Sequence, residues 1–410
     1  MNRKVVITGI GVLSPIGIGR DRYWEGLFQE KTGFKTISLF DTASFNVRVA
    51  GEISDFDPVA ILGKKGLRTL DRSTRLITSA AQLAIDNAGL QITDENTNSI
   101  GVSIGTTFGS LHSISQFDRE GLVEGPKYVN PSLFPNTVIN APASQVSIRC
   151  RIKGFNTTVS TGFCAGLDAV SYAVNFIKLN RARVVLAGGV EELCEEIYHG
   201  FYKLGCLSGL DGSEPVCCPY DARRNGIILS EGASVAVFED EEYALRRGAE
   251  IIAAVTGCGN AFDSEAERFF QHAGKGLAKA ISLALQDAAL THAEIDYISS
   301  SANSSQGLDR METKAIKEVF REHAYKIPVS TIKSMIGESF SASGALALAA
   351  AAGAIHKGFI PPTVNYKEKD PECDLDYVAN GTRAQEIKNA LVISSDPYGN
   401  NSAIIVGKYE

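Results

Sequence analysis

Short apolar runs rich in β-branched residues alternate along this chain with longer helical stretches, and that rhythm constrains the fold more than any other feature. Strand candidates cover residues 4–9, 99–105, 183–187, 234–239, 250–257, 297–301, 390–394 and 402–408. Several are near-continuous apolar runs, the pattern of strands buried on both faces. Between them the spacing predicts helices over residues 74–88, 166–179, 275–289 and 344–357. Alternation of this kind specifies an α/β protein with a mainly parallel sheet.

The rhythm also repeats. In the first half a strand leads into Val159-Ser160-Thr161-Gly162-Phe163-Cys164-Ala165-Gly166 and then a helix of small residues. In the second half Ser330-Thr331-Ile332-Lys333-Ser334-Met335-Ile336-Gly337-Glu338 is followed by Ser341-Ala342-Ser343-Gly344 and another such helix. No Pro/Ser-rich linker separates them. Two similar halves, residues 1–250 and 251–410, are therefore expected to form one rigid body.

Composition narrows the function. Of 410 residues, 44% are hydrophobic and 21% charged, which is ordinary for a globular chain. Forty basic against 47 acidic side chains give a formal charge of -7, so nucleic acid is not the expected partner. The longest apolar run, residues 344–355, falls short of the roughly 20 residues of a membrane span. The N-terminus runs straight into a strand with no apolar leader, so a cytoplasmic location is expected. The eight cysteines form no C-x-x-C pair and have no companion histidine spacing, so no metal is expected.

Six motifs in order resemble the elongating β-ketoacyl-acyl-carrier-protein synthases of the thiolase superfamily. They are Val5-Val6-Ile7-Thr8-Gly9-Ile10-Gly11 with Leu13-Ser14-Pro15-Ile16-Gly17, Ala187-Gly188-Gly189-Val190-Glu191, Pro219-Tyr220-Asp221-Ala222-Arg223-Arg224-Asn225-Gly226, Ser230-Glu231-Gly232-Ala233, Lys333-Ser334-Met335-Ile336-Gly337 and Pro361-Pro362-Thr363-Val364-Asn365. The resemblance spans essentially all of the chain. It implies a thiolase fold, with two similar half-domains in a five-layered α-β-α-β-α arrangement. Such synthases use a cysteine at a strand-to-helix elbow, where the helix dipole favours the thiolate. Two histidines stabilise enolate-like charge, and backbone N–H groups at the elbow hold the tetrahedral oxyanion. No cofactor is implied, because substrates arrive on the phosphopantetheine of an acyl carrier protein.

All three catalytic positions are altered. The family's elbow reads Thr-Ala-Cys-small-small-Gly, and ungapped alignment places Phe163 at the nucleophile. Thr161, Gly166 and the 28-residue distance to Glu191 support that register. Cys164 is one residue on, about 100° around the helix, so it is either a buried thiol or a displaced nucleophile. Asn303 stands at the first histidine, in a loop shortened before Asp309 and Glu312. It can donate a hydrogen bond but cannot shuttle a proton. Glu338 stands at the second, either paired with the retained Lys333 or acting as a base with raised pKa. A Gly-Phe-Gly-Gly gate is replaced by Tyr398-Gly399-Asn400-Asn401, which suggests a gate that no longer opens. The six histidines, His112, His199, His272, His292, His323 and His356, fall outside the catalytic motifs.

The resemblance thus implies a non-catalytic subunit like the chain-length factor of type II polyketide systems, paired with an active ketosynthase homologue as a heterodimer or heterotetramer. Such factors usually carry Gln where this chain has Phe163. Phe108, Leu111, His112, Leu133 and Phe134 are candidate tunnel-limiting or interface residues. Lys64, Lys65, Arg68, Arg72 and Arg75 are a candidate docking cluster for the acidic carrier protein, or a solvated basic face. Two alternatives remain open: an active acyltransferase using Cys164, and an acyl-binding homodimer without chemistry.

Overall fold

The computed structural model describes residues 3–265, 273–379 and 381–410. Ten strands build the main sheet: β1 Val5–Ser14, β2 Ile100–Gly105, β3 Asn156–Val159, β4 Val184–Glu191, β5 Gly232–Asp240, β6 Ala253–Phe262, β7 Tyr297–Ser299, β8 Val329–Ser330, β9 Asn389–Ser395 and β10 Asn400–Gly407. Gly17–Ile18 adds an eleventh strand as a hairpin on β1. From the centre outward one half runs β1-β5-β4-β2-β3 and the other β6-β10-β9-β7-β8. Each half therefore lists its own strands first, fifth, fourth, second, third, which is the internal repeat in three dimensions. The halves join where β1 pairs antiparallel with β6.

The sheet is mixed, which corrects the mainly parallel expectation. β2 pairs parallel with β3 and β4, and β7 with β8 and β9. The last strand of each half, β5 or β10, runs antiparallel to both neighbours. From β9 to β10 the chain simply reverses through a short turn at residues 396–399, so no crossover helix intervenes. The edge strands β3 and β8 are short and carry no apolar run, so the sequence did not announce them.

Six helices matter for the site: α1 Arg72–Ala88, α2 Ala165–Lys178, α3 Glu195–Lys203, α4 Lys275–Ala288, α5 Gln306–Phe320 and α6 Ser341–Lys357. α1 covers the outer face of β1 and β5, and α4 that of β6 and β10. α2 and α6 lie between the halves and touch strands of both. The result is the five-layered α-β-α-β-α arrangement of the thiolase fold. α1 starts where the Asp71 side chain accepts from the Thr74 N–H at 2.8 Å and ends at Gly89 in the left-handed region.

α6 is buried from Ser341 through Ile355. Its Ala-rich surface explains how it fits a central layer, since small side chains let backbones approach closely. The approach is tightest at Gly166, where a Cβ would lie 2.1 Å from the Ser341 carbonyl oxygen. That contact brings the N-terminal ends of α2 and α6 together. The residues just before each helix, Phe163 and Glu338–Phe340, consequently meet.

Candidate functional site

After β3 the chain turns through Gly162–Cys164, a single 3-10 turn that feeds α2. Phe163 is 4% exposed at that elbow. Its ring meets Phe340 edge-on at 4.9 Å between centroids and Phe201 at 6.4 Å. Phe340 also packs on Phe108 at 5.2 Å and Phe201 at 5.1 Å. The two edge-to-face pairs, Phe340 with Phe163 and with Phe108, each add about 0.5–1.5 kcal/mol beyond burial. Phe340 adopts φ +50, uncommon for a bulky residue, so its surroundings over-determine its position.

Beside this cluster opens an apolar cavity of about 340 Å³, lined by Phe108, Leu111, Phe163, Ile197, Phe201 and Tyr398 among others. Tyr398 is 66% exposed. The rest of the predicted gate is a bound turn. The Gly399 N–H donates to the Asp396 carbonyl (3.2 Å), the Asp396 N–H to the Asn400 carbonyl (2.8 Å) and the Asn401 amide to the Gly399 carbonyl (2.9 Å). Asp396 itself is buried. Its carboxylate accepts from the Phe163 N–H at 3.1 Å and from the Tyr398 N–H at 2.8 Å.

Cys164 faces elsewhere. Its thiol donates toward the Ser394 carbonyl (3.3 Å) and the Asn400 carbonyl (3.2 Å), and it does not line the cavity. Burial first, then Asp168 and Asp396, push the thiol well above its ordinary pKa. It is a poor thiolate.

Asn303, Lys333 and Glu338 form one closed polar cluster, all buried. Glu338 Oε2 accepts from Asn303 Nδ2 and from Lys333 Nζ, both at 2.8 Å. Its Oε1 accepts from the Phe340 N–H and the Ser343 hydroxyl, both at 2.9 Å. Lys333 Nζ also donates to the Ser301 carbonyl at 2.9 Å. Every oxygen of Glu338 is thereby engaged. Beneath the loop, Asp309 accepts from the Tyr220 and Asn303 N–H groups at 2.8 and 3.1 Å, and Glu312 from the Ser301 N–H at 2.7 Å. Burial pushes their carboxyls up to about 6 and about 7.

Known proteins resemble this chain over nearly its whole length. The model for the N-terminal domain of β-ketoacyl synthases matches residues 2–244, and that for the C-terminal domain residues 252–367. The chain is 38% identical to the tetracenomycin polyketide synthase ketoacyl synthase alpha subunit of Streptomyces glaucescens, covering 99% of this chain and 97% of that protein. It is 34% identical to 3-oxoacyl-[acyl-carrier-protein] synthase 2 of Coxiella burnetii, covering 99% of each. The chain belongs to the β-ketoacyl synthase family. Among solved structures, the ishigamide ketosynthase/chain length factor superposes with a TM-score of 0.94 at 33% identity, covering 100% of both chains. A type II polyketide acyl-carrier protein in complex with its ketosynthase bound to the hexaketide gives 0.91 at 28%, again covering 100% of both.

Within this ketosynthase frame the remaining sequence candidates divide. Phe108 and Leu111 line the cavity. His112 sits at its rim, with Nδ1 3.1 Å from Glu196. Leu133 and Phe134 do not line it, and Phe134 is 57% exposed against Phe117. None of the described histidines lines the cavity, and His272 lies outside the described residues. Phe201 and Phe340 were missed. Phe201 lies four residues from Ile197 on α3, and that spacing was the available signal.

The basic cluster is a correction in part. Lys64, Lys65 and Arg68 are exposed. Arg72 instead turns inward and holds the buried Glu231 with two hydrogen bonds of 2.6 and 2.5 Å. Arg75 donates to the Leu67 carbonyl at 3.1 Å. Arg72 is therefore not a free docking cation, because its charge is paired with Glu231. Among the described residues no helix is long and apolar enough to cross a membrane, and no His/Cys/Asp/Glu group could hold a metal ion.

Near the cavity rim, Glu192 is buried and accepts from the Ser73 and His112 N–H groups, both at 3.2 Å. Burial, then repulsion from Asp71, raises its pKa from an ordinary 4.5 to about 8. The native state thus binds a proton that the unfolded state has released, so stability falls as pH rises from about 4.5 toward 8. Glu192→Gln removes this titration. The melting temperature of the variant minus that of the wild type is expected to increase between pH 5.5 and pH 9. A pH-independent difference would refute the assignment.

Proposed function

We propose that this chain is a non-condensing ketosynthase-like subunit of the chain-length-factor kind. It pairs with an active β-ketoacyl synthase homologue, as a heterodimer or heterotetramer, and shapes the acyl tunnel during polyketide or fatty-acid elongation. The observation that carries this reading is Phe163, a hydrocarbon ring at the elbow where acyl transfer requires a nucleophile. Two further features support it. Glu338 is ion-paired with Lys333 and hydrogen-bonded by Asn303, so both donors are engaged and neither stands ready for enolate charge. The cavity walls include Phe108 and Leu111, side chains that would limit an acyl chain.

Pairing is supported by a surface that water favours poorly. Leu122 (86% exposed), Val123 (76%) and Ile148 (66%) lie on helices Leu111–Val123 and Ala141–Cys150, the second packed on edge strand β3. Exposed apolar side chains, with Ile148 on the helix beside an unpaired strand edge, suit a protein interface. Lys64, Lys65 and Arg68 offer a reduced basic patch for an acidic carrier protein. Among similar structures, one is named a ketosynthase/chain length factor, and another is a carrier protein in complex with its ketosynthase.

The test combines intact mass and product analysis. The chain alone, incubated with acyl-carrier protein, is expected to gain no acyl mass and make no condensed product. Adding the ketosynthase homologue is expected to yield product, whose length changes with Phe108→Ala in this chain. An acyl adduct mapped to Cys164 would instead establish the acyltransferase reading. Tight acyl binding by a homodimer, without turnover in any mixture, would establish the third.

A further inference from the structure

We infer that Asp396 occupies the oxyanion position of this elbow and blocks acyl transfer there independently of Phe163. The inference rests on the non-condensing reading above and names a second lock within it. When a thiolate adds to a thioester, the carbonyl oxygen becomes an anion that needs donors about 3 Å away. At this elbow the Phe163 N–H is placed to serve as one such donor, and the facing turn presents the Tyr398 N–H as a second. Both converge on a single carboxylate, at 3.1 Å to Oδ2 and 2.8 Å to Oδ1 of Asp396. The Tyr398 contact is local to the turn. The Phe163 contact bridges 233 residues and ties the two halves together. A buried negative group therefore stands where transient negative charge would have to form.

A second observation is independent of those hydrogen bonds. Gly162 has φ +60, and a Cβ there would lie 1.9 Å from Asp396 Oδ2 and 2.7 Å from its Cγ. The Ala that precedes the nucleophile in the resembling synthases would collide with this carboxylate. Gly162 and Asp396 are thus a matched pair, one vacating the space that the other fills. Restoring a thiol at position 163 alone leaves the oxyanion site full.

The experiment uses the full chain as wild type, Phe163→Cys, Phe163→Cys/Asp396→Ala and Phe163→Cys/Asp396→Asn, with octanoyl-pantetheine as the acyl donor. In the reaction the introduced thiol gives its proton to buffer and its sulfur attacks the carbonyl carbon. The bond to pantetheine sulfur breaks, and the released thiolate takes up a proton. Intact mass with peptide mapping reads the acyl adduct. The single variant is expected to acylate no faster than wild type, and the Ala double variant at least about tenfold faster. Equal rates for single and double variants overturn the inference, as does a folded double variant that stays unmodified. An adduct on wild type at Cys164 sinks the non-condensing reading instead, so the two failures are distinct. As a check on the pairing, Gly162→Ala should lower the melting temperature and Asp396→Ala should restore the part due to the collision, leaving the cost of φ +60. Strictly additive shifts would dissolve the pair.

Discussion

Glu338→Ala is expected to destabilise the folded chain by about 3–5 kcal/mol, the usual cost of stranding a buried charge. Among the described residues Glu338 is the only ion-pair partner of Lys333, which is 4% exposed and would be left unpaired. Asn303 Nδ2, the Phe340 N–H and the Ser343 hydroxyl would lose their acceptor in the same step. The double variant Lys333→Met/Glu338→Gln should cost less than Glu338→Ala alone, because no charge is left unpaired. Equilibrium denaturant unfolding measures both. If Glu338→Ala cost under about 1 kcal/mol, water must reach Lys333 and the cluster would not be closed.

Phe163→Ala is expected to cost about 3 kcal/mol, near the lower end for truncating a buried Phe because its ring borders an open cavity. Here the substitution should register as a lower melting temperature, with Phe340 and Phe201 losing a neighbour at 4.9 and 6.4 Å. Phe163→Leu, which retains most of the volume, should recover over half of the loss. A neutral Phe163→Ala would mean that the aromatic cluster adds nothing to stability.

Much of this was legible in the sequence, for physical reasons that differ by element. Strands such as β1 and β4 are buried on both faces, so their apolar runs announce them. The short polar edges β3 and β8 have no such signature, and the turn at residues 396–399 sets strand direction without leaving one. At the site, Phe163, Asn303 and Glu338 stood out because motifs on either side fixed their register. Phe340 did not, since its importance lies in a φ +50 backbone and in rings brought from distant segments. Asp396 was equally hidden, because only the fold sets its carboxylate against Gly162. Arg72 misled for the converse reason, as nothing local shows that a cation faces the buried Glu231.

The contact of α2 with α6 at Gly166 has a consequence for how such a chain can change its trade. The elbow comes from the first half of the chain, and the Glu338–Phe340 and Asp396 segments come from the second. Apart from Asn400 and Asn401 at the start of β10, the strands and central helices that hold these segments carry none of the altered side chains. Mutation can therefore rewrite the seam where the halves face each other while both halves of the sheet keep their register. Architecture and site residues are thus separable in this fold, and the second can vary without unmaking the first.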